Sequence, residues 1–174
     1  MAAGRTIPGK LAVVDEPRWL SDEQQRAWRK FAALMTVVPA GLDAQLQRDS
    51  DLTHFGYWVL AMLSEDPDRA LRMSHLAAQA NASPSRVSHV VSKLEARGWV
   101  RRHRAAADGR GNVAELTEAG YQKVREAAPG HVEQVRSMIF DGLDEDQVRR
   151  LDEICGAVLA HLDPGGRLCT QVGR

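Results

Sequence analysis

The sequence predicts a mainly α-helical fold with one small β-wing. Three observations carry that expectation. Apolar residues recur at helical spacing toward both ends of the chain. Near its middle, two short helix signals are separated only by the tight turn "NAS". Immediately afterwards, two short runs that can form strands flank the glycine-containing turn "ADGRGN". The 174 residues are enough for one ordinary domain or two small lobes sharing a core. With 44% apolar and 26% charged residues, the chain falls in the range of folded globular proteins, which argues against disorder throughout.

Taken in order, residues 1–20 read as a flexible tail punctuated by Pro8, Gly9 and Pro17. Ser21 opens "SDEQ", a capping-box pattern with Gln24 at the third helical position, and Asp22 and Glu23 suit the positive end of a helix dipole. The stripe Ala27, Trp28, Phe31, Leu34, Met35, Val38, Leu42 and Leu46 has helical period, and Pro39 within it predicts a kink rather than a stop. Thr53 caps a second helix, His54 to Ser64, and "SEDPDRAL" reads as a loop. Ser74 opens a short helix to Ala80 with Leu76 and Ala77 facing inward. Ser83 followed by Pro84 is a strong start signal for the next helix, which Gly98 ends in a left-handed conformation. Residues 99–104 and 113–116 form the two strands of a hairpin. Thr117 caps a further helix with weak points at Gly120 and Pro129. After "DGLDEDQ", a last helix aligns Leu143, Val148, Leu151, Ile154, Cys155, Val158, Leu159 and Leu162, and residues 163–174 are a tail.

Two adjacent helices, a short turn and a two-stranded hairpin make a winged helix-turn-helix, here residues 51–117. The second helix of the pair buries Val87, Val90, Val91 and Leu94 at i, i+3, i+4 and i+7. Its other face then carries Ser85, Arg86, Ser88, His89 and Lys93, after Ser83 at the cap. Charge agrees with that face. The whole chain has formal net charge zero, yet between Asn81 and Arg110 seven cations against two anions leave +5. A basic patch on an otherwise acidic body is the footprint of a nucleic-acid binder. A helix of about 10–12 Å diameter fills a DNA major groove about 12 Å wide. Ser85, Arg86 and His89 lie near the helix N-terminus and are candidates to read base edges; Lys93 and Arg97 lie further along, toward phosphate. Arg102 and Arg104 share one face of the strand that leads to the wing tip, where Arg110 can enter a narrow minor groove; Asp108 either holds it extended or is a plain turn residue bonding its own backbone.

The run "MSHLAAQANASPSRVSHVVSKLEARGWVRR" followed by "DGRGNVAELTEAG", Met73 to Gly120, resembles the MarR family of bacterial transcription regulators. The D-x-R wing and the L-T-x-x-G after it are its most specific part, and the order of elements matches over residues 21–162. The resemblance implies an obligate homodimer that binds a pseudo-palindromic double-stranded DNA operator. It carries Ser85, Arg86 and His89 over to the recognition helix and Asp108 and Arg110 to the wing. It also implies release by a small aromatic or phenolic ligand in a cleft lined by Trp28, Phe31, His54 and Trp58, although the same aromatics serve equally as ordinary packing. The expected function is a dimeric, sequence-specific repressor; the alternative is an architectural DNA binder with no effector.

The dimer also follows from area. Helices in 21–50 and 118–162 carry wider apolar faces than the winged lobe can cover, so they are expected to form a dimerisation lobe with a second copy; the alternative is a helical lobe within one chain. Six scattered histidines form no H-E-x-x-H or paired-cysteine pattern, so no metal or cofactor is expected. Cys155 reads as a core residue of the last helix and Cys169 as a tail thiol, consistent with a reducing cytoplasm. No run is apolar enough to span a membrane, and no nucleophile–base–acid order or phosphate-cradling loop suggests an enzyme.

Overall fold

The computed structural model describes residues 17–104 and 111–168. The elements are α1 (Asp22–Ser50), α2 (His54–Glu65), β1 (Ala70–Arg72), α3 (Met73–Gln79), α4 (Pro84–Ala96), β2 (Val100–Arg104), β3 (Asn112–Leu116), α5 (Glu118–Val135) and α6 (Glu145–Leu162); a π-helical turn, Arg136–Phe140, extends α5. The chain divides into residues 1–35 and 36–174. In the first unit the capping box forms: Gln24 N–H donates to Ser21 Oγ at 3.2 Å and Ser21 N–H to Gln24 Oε1 at 2.9 Å. Trp28, Phe31, Leu34 and Met35 remain about half exposed there, and the Trp28 and Phe31 rings lie 6.4 Å apart.

The second unit holds the core. Leu46, Val59, Leu60, Leu63, Leu76, Val87 and Val91 are fully buried, and Leu71, Val100, Ala114, Leu116, Val124 and Ala127 close over them. Val87, Val91 and Leu94 of α4 point inward as their spacing requires, whereas Val90 is only partly buried. Ser83 caps α4 by accepting the Arg86 N–H at 3.2 Å, Thr53 caps α2 through Gly56 N–H at 3.0 Å, and Gly98 ends the α4 segment at φ +74°.

The structure corrects several expectations. The end of "SEDPDRAL" is not loop: Ala70–Arg72 is a strand, so the sheet has three antiparallel strands in the order β1-β3-β2. Leu71 faces Ala114 in register, while Arg102 faces Ala114 from the other side. Arg69, at φ +52°, turns the chain into β1 and accepts Leu116 N–H on its carbonyl at 2.8 Å. Three residues behind an Asp-Pro-Asp turn are too few to show a period. Helix α3 begins one residue early, at Met73. At Pro39 the expectation of no stop holds, since α1 runs on through it, whereas α5 runs unbroken through its expected weak points Gly120 and Pro129. Leu143 precedes α6, whose cap is Asp144 in a capping box with Gln147. Cys155 is exposed rather than packed, because α6 buries none of its residues in the single chain. Cys169 lies outside the described residues.

Gly120 explains the T-x-x-G spacing. A Cβ there would stand 2.1 Å from the Trp99 carbonyl oxygen, and that carbonyl already accepts Thr117 N–H at 3.0 Å. The Thr117 hydroxyl donates to Gly98 O at 2.7 Å and accepts Gly120 N–H at 3.0 Å. Gly120→Ala must therefore displace backbone rather than a flexible side chain. We expect it to lower stability by about 1–3 kcal/mol or more in urea unfolding, the range for overpacked sites; an unchanged midpoint contradicts the close approach.

Candidate nucleic-acid interface

Helix α4 presents one polar face. Ser83, Ser85, Arg86, His89, Lys93 and Arg97 are exposed, and Ser88 is half-buried with its carbonyl accepting Ser92 Oγ at 2.9 Å. Ser83 and Ser85 hydroxyls meet at 3.0 Å, which ties the first turn together. At about 1.5 Å per residue, Ser85 to Lys93 spans roughly 12 Å of helix.

The cations around this face divide into two groups. Arg97 pairs with Asp51 at 2.9 Å and lies 5.0 Å from the centre of the Trp99 ring. Arg101 and His103 share Glu115 across the strands, at 2.8 and 3.2 Å. Arg102 is half-buried and grips Glu95 of α4 with its backbone N–H at 3.0 Å and its Nε at 2.7 Å. By contrast, Arg86, Lys93 and Arg104 have no ion-pair partner among the described residues, and all are exposed. The unpaired charge therefore marks both ends of α4 and the outer part of β2. Asp108 and Arg110, the wing-tip candidates, lie outside the described residues.

Glu95 and Phe55 are the residues that sequence reasoning missed. The side-chain and backbone N–H groups of Arg102 hold the Glu95 carboxyl below the usual carboxylate range, and the bridge joins the recognition helix to the wing strand. Its two ends are seven residues apart across the Gly98 turn, a spacing with no meaning until the turn is folded. Phe55 receives Arg86: the guanidinium carbon sits 4.1 Å from the ring centre. The two residues border a cleft of about 580 Å³ that is also lined by Pro39, Asp43, His54 and Trp58. The structure thus brings His54 and Trp58 to one cleft with a cation, while Trp28 and Phe31 belong to the N-terminal unit. Among the described residues no cluster of histidine, cysteine and carboxylate has the makings of a metal site, and no helix is long and apolar enough to cross a membrane.

A MarR family model matches residues 51–111, from the α1–α2 turn into the wing. Among solved structures, Sco3205 of Streptomyces coelicolor, a MarR family regulator crystallised with DNA, is 46% identical over 87% of this chain and 94% of its own, at a TM-score of 0.82. The chain belongs to the MarR family. AbsC, a second MarR family regulator of that organism, is 36% identical over 85% of this chain and 99% of its own, at a TM-score of 0.80. The transcriptional repressor MprA of Escherichia coli is 24% identical over 107 residues, and the chain spans 60% of that repressor's length. The three-stranded wing and the helix order of this MarR-family chain are those of the winged-helix relatives, so the fold expectation holds, with β1 added.

Because the Glu95 carboxyl titrates below its unfolded value, the bridge to Arg102 is intact above the unfolded pKa and is lost as pH falls through the folded one. Glu95→Gln is expected to abolish the charge while leaving one acceptor, and Glu95→Ala to remove both. Amide exchange at Arg102 should then accelerate more in the alanine variant than in the glutamine variant. Equal protection in all three proteins contradicts the bridge.

Proposed function

We propose that this protein is a dimeric, sequence-specific DNA-binding transcription regulator, a repressor released by a small aromatic ligand. The observation that carries the proposal is the combination on one body of an exposed polar recognition helix and a helix with no buried residue. In α6, Ile154, Val158 and Leu162 are 63%, 47% and 68% exposed, which is too much apolar surface for a helix that ends its life in water. A second copy is the cover that a two-fold DNA site requires. Paired recognition helices then stand about 34 Å apart, one turn of duplex.

In this reading Ser83 caps α4 at the edge of the major groove, Ser85, Arg86 and His89 address base edges, and Ser88 lies beside them. Lys93 and Arg104 meet phosphates directly. Arg97 and Arg102 reach phosphate only in exchange for Asp51 and Glu95, a small cost for partly exposed ion pairs. Arg110, extended by Asp108, is assigned to the minor groove. Arg86 links DNA to ligand. To span guanine O6 and N7 its guanidinium must leave Phe55, and a planar anion in the cleft beside His54 and Trp58 would keep it there. The related regulators support a role in transcription rather than catalysis; a cytoplasmic location and the lack of a cofactor are part of the same proposed reading.

Three measurements test this. Binding to an operator selected from a random DNA pool should fall steeply with salt, and Lys93→Ala should weaken all sequences alike and reduce the salt slope by about one. Arg86→Ala should relax the preference at one base position per half-site by about 1–3 kcal/mol. Ile154→Glu should shift sedimentation to the monomer and abolish operator binding with α4 intact. A protein that sediments as a monomer without substitution, or that ignores duplex DNA at low salt, overturns the proposal. One that binds DNA identically with and without a panel of aromatic acids is an architectural binder instead.

A further inference from the structure

Helices α2 and α5 meet through a histidine pair. The His54 and His131 rings are 5.8 Å apart, and the Tyr57 ring lies 4.5 Å from His131. Both histidines are half-buried, and Nδ1 of His131 is enclosed without a hydrogen-bond partner among the described residues. A neutral imidazole can leave that nitrogen bare. An imidazolium cannot, because it has a proton on both nitrogens and one would face no acceptor.

We propose that the His54–His131 pair is an acid-sensitive latch between α2 and α5: neutral, it lets the two helices pack; protonated, it drives them apart and withdraws α2 from the recognition helix.

The groups that face the pair come from four elements; from α4, Arg86 lines the cleft beside His54 and its cation opposes a proton there. From α1, Asp43 accepts the His54 backbone N–H at 2.7 Å, and its charge favours a proton on His54. Also from α1, Gln45 is buried with Oε1 unpartnered and its amide turned to Asp49. From α2, the Tyr57 ring lies tilted against His131. From α5 comes His131 itself. Asp43 thus pulls toward the charged form of His54, while burial, the Arg86 cation and the mutual repulsion of the imidazoles push against it. Burial wins: both histidines are held below the ordinary histidine range, with desolvation the largest cause and His54 acting further on His131. The folded state therefore binds these protons less readily than the unfolded chain. Its stability is complete above the unfolded histidine pKa of about 6.5 and declines as pH falls below it.

The link to DNA rests on the function proposed above. Helix α2 shares one core with α4, Leu60 and Leu63 of α2 with Val87, Val91 and Leu94 of α4, and Gly56 lies beside Leu94, so a displaced α2 takes away the packing that holds the polar face of α4 in place. The sign of the effect is diagnostic. Protonating His89 or His103 on the exposed basic face would strengthen attraction to phosphate, whereas opening the latch weakens binding.

The test uses the full chain. Imidazole proton resonances of the unmodified protein, followed from about pH 8 to about pH 5, should show His54 and His131 titrating below an ordinary exposed histidine. The melting temperature should fall by about 2 °C or more between about pH 7.5 and about pH 5.5, and His131→Phe should flatten that profile. His131→Gln, which keeps a polar side chain and cannot take a proton, should flatten it too if the phenylalanine variant does not fold. Affinity for the selected operator at constant ionic strength should weaken by about fivefold or more over the same interval, and not in either variant. The latch is overturned if either ring titrates at or above the ordinary value, or if the acid-dependent fall in melting temperature persists in both variants. Resonances and melting that behave as expected in a protein that binds no DNA at about pH 7.5 sustain the latch and overturn only the DNA reading.

Discussion

At the base of the wing the Trp99 carbonyl accepts Thr117 N–H, and the Thr117 hydroxyl donates to Gly98 O. Four segments meet at these two bonds: the end of α4, the start of β2, the end of β3 and the start of α5. Gly98 supplies the left-handed turn that a side chain would resist, and Gly120 supplies the space beside Trp99 O. The orientation of the recognition helix relative to the wing is thereby set by backbone, which does not repack. A small fault here would rotate the whole polar face of α4 against the strand that carries Arg104.

Charge is arranged around that junction in two layers. The pairs Glu95–Arg102, Glu115–Arg101 and Asp51–Arg97 brace the lobe within itself, each between partly exposed groups whose net stabilisation is modest. Their value is geometric: Glu95–Arg102 ties α4 to the wing, Arg101–Glu115 ties the two wing strands to each other, and Arg97–Asp51 ties the end of α4 to the α1–α2 turn. Arg86, Lys93 and Arg104 are left outside this bracing. A count of positive residues from the sequence overstates the charge on offer and cannot say which cations are occupied.

Apolar surface follows a similar division. The core draws on α1 through Leu46 and on α5 through Val124 and Ala127, so these long helices belong to the winged lobe over part of their length. Helix α6 gives it nothing. A helix that is amphipathic by sequence yet buries no residue leaves an apolar face uncovered in the single chain.

The sequence by itself determined the local structure and most of the candidate site. Caps at Ser21, Thr53, Ser83 and Thr117 are chemical facts of a few residues, and the spacing of Val87, Val91 and Leu94 dictates which face of α4 is free. Only the tertiary structure decided β1, because three residues have no period and become a strand only when β3 lies alongside. The same holds for Arg102 with Glu95, Arg86 with Phe55 and His54 with His131: each pairing is a distance, and sequence spacing does not encode distance across a turn or between helices. Local propensity reads along the chain; desolvation, ion pairing and close approach depend on what the folded chain brings across it.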